Sequence, residues 1–180
     1  MPLNHSSPQA KLTDQQLILV GKIMLEFSNI EFLMGTLLSR LLLTPEFLAR
    51  TYTDNLAAAK VQEAINNALE IHGYRFGNSI ITPDKVQEVK DLNLRIDKIR
   101  SYRNKFAHYC WMRHSDSEIF GTQFSGKVSR IDKYTIVMTN SQLDKLYGEA
   151  YGIVDDLERC VQSLPELDER EIFEKMRRPR

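Results

Sequence analysis

The chain has 180 residues, of which 42% are hydrophobic and 27% charged, and its formal net charge at pH 7 is zero. These values are typical of one globular domain with a sizeable core, and they exclude a chain that coats nucleic acid through overall positive charge. Because Cys110 and Cys160 are far apart and in no ligand-like spacing, neither a disulfide framework nor a zinc site is expected, and a reducing cytoplasm is the expected location.

The N-terminal part predicts a polar arm followed by a long core helix. Residues 1–12 lack the layout of a signal peptide and are interpreted as a flexible arm. Thr13 and Gln16 form a capping-box pattern, so we expect a helix from there to about residue 43. Four charged residues interrupt its apolar positions, namely Lys22, Glu26, Glu31 and Arg40. A membrane span would seldom contain them, and no membrane association is expected.

Two further helices are predicted before residue 82. Thr44-Pro45 resembles an N-cap followed by proline at the first helical position, and the short helix that follows should extend through residue 52. Asp54 is the expected cap of the next helix, and Gly73 is its expected end. Residues 74–81 are predicted to form a loop.

The third long helix is predicted to start at Thr82-Pro83 and to run to about Cys110 or Trp111, with Cys110 in its buried stripe. Residues 118–124 and 127–139 are rich in β-branched and aromatic residues, which predicts a small β-hairpin over about 118–139 with turns at 125–126 or 132–133. A last long helix should start at Asn140 or Ser141, and 165–180 form a charged tail. The predicted fold is mainly α: a domain over 13–164 made of a bundle of about four main helices, with the hairpin inserted before the last long helix.

Positive charge concentrates near the end of the third long helix. Residues 95–113 contain six basic residues and one acid, whereas residues 149–174 contain nine acids and two basic residues. This asymmetry favours a local anion-binding surface over a general coat.

The basic segment contains the pattern Arg-Asn-x-x-x-His at residues 103–108. Asn104 and His108 are four residues apart and share a helix face, and Arg100 extends that row by one turn. Arg103 is five residues before His108, so it lies about 140° around the helix. Arg103 must therefore reach in from the next row or act across a subunit boundary.

These residue types suit phosphodiester chemistry on RNA. A histidine can exchange a proton at physiological pH. An arginine can hold the scissile phosphate with two hydrogen bonds, and an asparagine can orient the imidazole or bind phosphate. With the ribose 2′-hydroxyl as the internal nucleophile, no metal and no other cofactor is required, and the sequence contains no obvious carboxylate cluster for a two-metal site.

The segment at residues 99–111 and the order of elements around it resemble the HEPN superfamily of higher eukaryote and prokaryote nucleotide-binding domains. The resemblance implies a metal-independent endoribonuclease, in many members a toxin or defence protein controlled by an antitoxin, acting on RNA as a homodimer whose motif helices face each other. Arg103, Asn104 and His108 then take the catalytic roles. Arg100, Lys105 and Trp111 are candidates for substrate binding, and Glu31 is a weaker candidate for support.

Structural interpretations stand beside these roles. The alternative function is a non-catalytic HEPN-like module that binds a nucleotide or a protein partner. His108 can be a helix-end histidine, and Arg103 can form an interhelical salt bridge, for example with Glu31. Trp111 can pack in the core or stack on a base. The small residues Gly35 and Ser39 can mark close helix packing or dimerisation, or they can belong to an ordinary core.

Overall fold

The computed structural model describes residues 10–123 and 135–167. In chain order these residues form α1 (Asp14–Leu41), α2 (Glu46–Thr53), α3 (Ala58–Phe76), α4 (Pro83–His108), β1 (Cys110–Arg113), β2 (Glu118–Thr122), β3 (Thr135–Thr139) and α5 (Asn140–Gln162). The prediction of a mainly helical fold with a small antiparallel sheet before the last long helix is confirmed. The predicted turns at 125–126 and 132–133, most of the N-terminal arm and most of the charged tail lie outside the described residues.

Contacts divide the described residues into a first unit, residues 10–28 with 97–123 and 135–152, and a second unit, residues 29–96 with 153–167. The helices α1, α4 and α5 contribute residues to both units. None of the helices in the described ranges combines the length and the apolar character that crossing a membrane requires.

The start of α1 belongs to the first unit and follows the predicted capping box. The Thr13 backbone N–H donates to Gln16 Oε1 at 2.9 Å, and the Gln16 N–H donates to Thr13 Oγ1 at 3.2 Å. The same Gln16 side chain is fully buried, and its Nε2 donates to the carbonyl oxygens of Ser115 and Glu118 at 3.0 and 3.2 Å. One side chain thus caps the helix and joins it to the turn between β1 and β2.

The sheet of the first unit has the strand order β1-β2-β3, with both pairs antiparallel. Strand β1 corrects the sequence analysis, because α4 ends at His108 and Cys110 is an exposed strand residue rather than part of a buried helical stripe. Residues 110–113 have no strong strand pattern of their own. They are extended because they pair with β2, in a register that places Trp111 opposite Gly121.

The core of the first unit is formed by apolar side chains from α1, the end of α4, the sheet and the start of α5. They include Leu19, Ile23, Phe27, Ile99, Phe106, Ile119, Met138, Leu143, Leu146 and Ala150. Their spacing on the helices is that of one helical face, and it leaves the opposite face of the last turns of α4 exposed.

In the second unit, α3 departs from its predicted limits at both ends. It begins after Ala57, while Asp54 is the C-cap of α2. It also continues past Gly73 to Phe76, and Gly77 ends it in the left-handed conformation with φ 54°. His72 is buried, and its Nε2 lies 2.6 Å from the carbonyl oxygen of Leu41. This long-range contact joins the last residue of α1 to the turn of α3 next to Gly73, where the sequence predicted the end of the helix.

Gly35 serves packing inside the second unit. A Cβ at this position would lie 2.9 Å from Arg50 Nη1 and 3.3 Å from Thr53 Oγ1, so the absence of a side chain at Gly35 leaves room for the Arg50 guanidinium. The Arg50 guanidinium also donates to Thr36 Oγ1 at 2.7 Å and to Glu46 Oε1 at 3.0 Å. Gly35 thus takes part in close packing within the chain, and the interpretation of Gly35 and Ser39 as a dimerisation surface stays a prediction.

Candidate active site

The predicted catalytic residues Asn104 and His108, which form one row on the helix surface, lie on the last turns of α4 within the first unit. Asn104 and His108 are both exposed, and His108 is the last residue of the helix. In the part of the chain that the structure describes, neither side chain has a hydrogen-bond or ion-pair partner. Residues four apart on a helix have Cβ atoms about 5–6 Å apart, so an amide and an imidazole are presented together to solvent.

Arg100 continues this row one turn earlier. Its Nη2 lies 2.6 Å from Asp97 Oδ1, and its side chain is 34% exposed. An ion pair of this kind is weak in water, so a phosphate can compete with Asp97 for the guanidinium. The role of Arg100 in substrate binding stays a prediction.

Arg103 occupies the next row of α4, as its spacing predicted. It is half-buried and already has an interaction partner within the chain. Its position five residues before His108 turns the two side chains about 140° apart. Arg103 and His108 of one chain are therefore not neighbours on the surface of α4.

Lys105 connects the motif to a second set of residues. Tyr102, Lys105 and His108 follow one another at intervals of three, which makes them one continuous ridge on the helix surface. The Lys105 ammonium lies 5.2 Å from the centre of the Tyr102 ring, a cation–π distance. Lys105, a predicted substrate-binding residue, is thus held over the Tyr102 ring, one helical turn before His108.

Trp111 stabilises the junction between α4 and β1. Its ring stacks on Phe106 with centroids 4.8 Å apart, and its Nε1 donates to the Lys105 carbonyl oxygen at 3.2 Å. Gly121 lies so close that an added Cβ would be 2.7 Å from the indole ring. These contacts account for Trp111 as a packing residue that holds the helix end, and its predicted role in substrate binding stays a prediction.

Glu31 belongs to the second unit, where it lines a cavity of about 250 Å³ together with Phe32, Gly35, Arg50 and other residues. Its side chain is half-buried and has an interaction partner within the chain. Both its supporting role and the predicted alternative of an ion pair with Arg103 stay predictions.

Sequence reasoning missed three residues that the tertiary structure gathers beside the motif. Tyr102 of α4 lines a cavity of about 290 Å³ with Gln142 and Lys145 of α5 and with residues of β3. The interval of three from Tyr102 to Lys105 and His108 was visible in the sequence. The approach of β3 and α5 was not, because it depends on long-range packing.

The chemistry of these groups is that of a cationic, proton-exchanging surface. Within residues 10–123 and 135–167, no group of three or more His, Cys, Asp or Glu side chains is arranged to hold a metal ion. Comparisons of the chain with protein-family models, with curated proteins and with solved structures found no match.

Proposed function

We propose that this protein is a metal-independent endoribonuclease of the HEPN type, with His108 as general acid or base and Arg103 as the ligand of the scissile phosphate. The observation that supports the proposal most directly is the exposed pair Asn104–His108 at the end of a helix rich in cationic residues. Both side chains are open to a ligand, and Arg100, Arg103 and Lys105 lie on the same helix.

The reaction needs only the RNA and these side chains. The 2′-oxygen attacks the adjacent phosphorus as His108 removes the hydroxyl proton, and the bond from phosphorus to the 5′-oxygen breaks. The departing 5′-oxygen receives the proton from the His108 imidazolium, which leaves a 2′,3′-cyclic phosphate and a 5′-hydroxyl. Arg103 stabilises the negative charge on the non-bridging oxygens, and Asn104 orients the imidazole or binds phosphate.

We further propose that two chains share the site. Because Arg103 and His108 lie on different rows of α4, two motif helices facing each other can place Arg103 of one chain and His108 of the other on one phosphate. In such a dimer each of the two sites contains one Arg103 and one His108, taken from different chains.

The test is cleavage of a labelled RNA in EDTA by the wild-type chain and by His108→Ala and Arg103→Ala. We expect each substitution to lower the rate by at least about a hundredfold, the contribution of one acid–base or electrostatic group. The matched control is His114→Ala, because His114 is an exposed histidine of the same unit that lies 3.9 Å from Glu118. It should keep full activity.

Thermal melting of each variant separates loss of chemistry from loss of folding. Cleavage that needs added magnesium, or that survives in His108→Ala, would contradict the mechanism. Absence of nuclease activity in the wild-type chain, together with altered melting temperature or partner affinity in the variants, would favour the alternative, a non-catalytic module that binds a nucleotide or protein.

The same resemblance leads us to propose a toxin or defence role, with an antitoxin protein as partner. Induction of the chain in a bacterial host tests this directly. We expect growth arrest with the wild-type chain and normal growth with His108→Ala. Equal growth in both cases would contradict the toxin role while leaving the nuclease assay to decide the chemistry.

A further inference from the structure

A cavity of about 290 Å³ lies in the first unit beside the motif helix. Its described lining residues come from α4, β3 and the first turns of α5: Tyr102, Ile136, Val137, Met138, Gln142, Lys145 and Leu146. The catalytic mechanism proposed above uses none of them. The volume lies just below the range of about 300–1,000 Å³ found for small-ligand sites, so the cavity suits one ring system better than an extended ligand.

The walls combine an apolar floor with an aromatic ring and a cation. Met138 and Leu146 are buried, and Tyr102 is half-buried with the Lys105 ammonium 5.2 Å from its ring centre. Among the described lining residues, Lys145 is the charged one, and it has no interaction partner in the described part of the chain. A ligand should therefore contain an apolar ring and a negative charge.

Polar groups on the rim are mainly donors. Gln142 Oε1 accepts from the Thr139 backbone N–H at 2.8 Å, which caps α5 and leaves the Nε2–H groups without a partner among the described residues. Strand β3 is the outer strand of the described sheet, so it has a row of backbone groups that β2 does not use. Such groups can bind the edge of a nucleobase.

Tyr102 and His108 lie on the same helix, and the six residues from one to the other correspond to about 9 Å along the axis and about 120° of rotation. The cavity therefore lies beside the catalytic residues, on a different face of α4. We propose that the cavity binds one nucleobase of the RNA strand on one side of the scissile phosphate, with the base on Tyr102 and its attached phosphate near Lys145 and Lys105. This inference rests on the proposed ribonuclease function and names its substrate subsite.

The test measures binding and cleavage separately on the full chain. Binding is measured by calorimetry with the four nucleoside 5′-monophosphates, and by fluorescence with a single-stranded DNA, which lacks the 2′-hydroxyl and cannot react by this mechanism. We expect Tyr102→Leu to weaken monophosphate binding about tenfold, because base–aromatic stacking is lost. Tyr102→Phe keeps the aromatic ring and should change the affinity for monophosphates by about twofold or less.

Lys145→Ala should weaken DNA binding about fivefold and lower the salt dependence, the slope of log K against log salt, by about one. The matched control is Lys90→Ala, an exposed lysine of α4 in the second unit, which should leave binding unchanged. With RNA, Tyr102→Leu should also reduce the preference among cleavage positions, while Tyr102→Phe retains it.

The outcomes separate this inference from the ribonuclease proposal. If the wild-type chain cleaves RNA but the Tyr102 and Lys145 variants bind and cleave like it, the subsite is wrong and the function stands. If the chain does not cleave RNA but binds monophosphates through Tyr102, the function is wrong and the nucleotide site stands. Inorganic phosphate competing as well as the monophosphates, or no binding of any nucleotide, would overturn the subsite.

Discussion

Mixing two inactive variants tests whether the proposed active site is shared between chains. The variant His108→Ala retains Arg103, and the variant Arg103→Ala retains His108. If each site takes its arginine from one chain and its histidine from the other, a mixed dimer contains one intact site and one site that lacks both groups. Activity should then reappear although each variant alone is inactive.

Helix geometry explains why one chain does not form the site alone, and the statistics of pairing give the fraction of activity that should return. On one helix, five residues give an axial separation of about 7.5 Å and a rotation of about 140°, which places the two side-chain heads about 12 Å apart. A phosphate in hydrogen-bond contact with both groups needs them at about half that separation. With random pairing, half of the dimers are mixed and half of their sites are intact, so about a quarter of the wild-type activity should return.

The assay is RNA cleavage in EDTA after the two variants, each with a different affinity tag, are produced together and the mixed dimer is isolated through both tags. The isolated mixed dimer should have about half of the wild-type activity per dimer, since one of two sites is intact. Two differently tagged copies of His108→Ala are the control and should stay inactive. A mixed dimer that forms but remains inactive would refute the shared site.

Two further predictions concern the parts that support the site. Gly121→Ala should destabilise the fold by about 1–3 kcal/mol, because the new Cβ would lie 2.7 Å from the Trp111 ring, and an unchanged melting temperature would contradict this packing. Burial, together with the nearby Glu88 carboxylate, raises the pKa of the Cys160 thiol to about 11. At pH 8 its thiolate fraction is therefore about 10⁻³, so a thiol reagent should label the exposed Cys110 and spare Cys160 until the chain unfolds, as mass spectrometry can check.

The helix limits show how far local sequence signals reach. The capping box at Thr13 and Gln16 and the start of α4 at Pro83 were predicted, because caps depend on residues within one turn. Gly73 was wrong as the end of α3, and Gly77 ends it instead. Both glycines are locally able to stop a helix, and only the tertiary structure shows that α3 continues through Gly73 and that Gly77 adopts the left-handed conformation.

The sequence by itself determined the helical fold and the spacing of Arg100, Asn104 and His108 on α4, because helical periodicity acts along the chain and needs no distant partner. Only the tertiary structure decided that α4 ends at His108, since β1 forms by pairing with β2. It also decided that Tyr102 meets β3 and α5 in one cavity. These features depend on contacts between segments far apart in sequence, whose register no local pattern specifies.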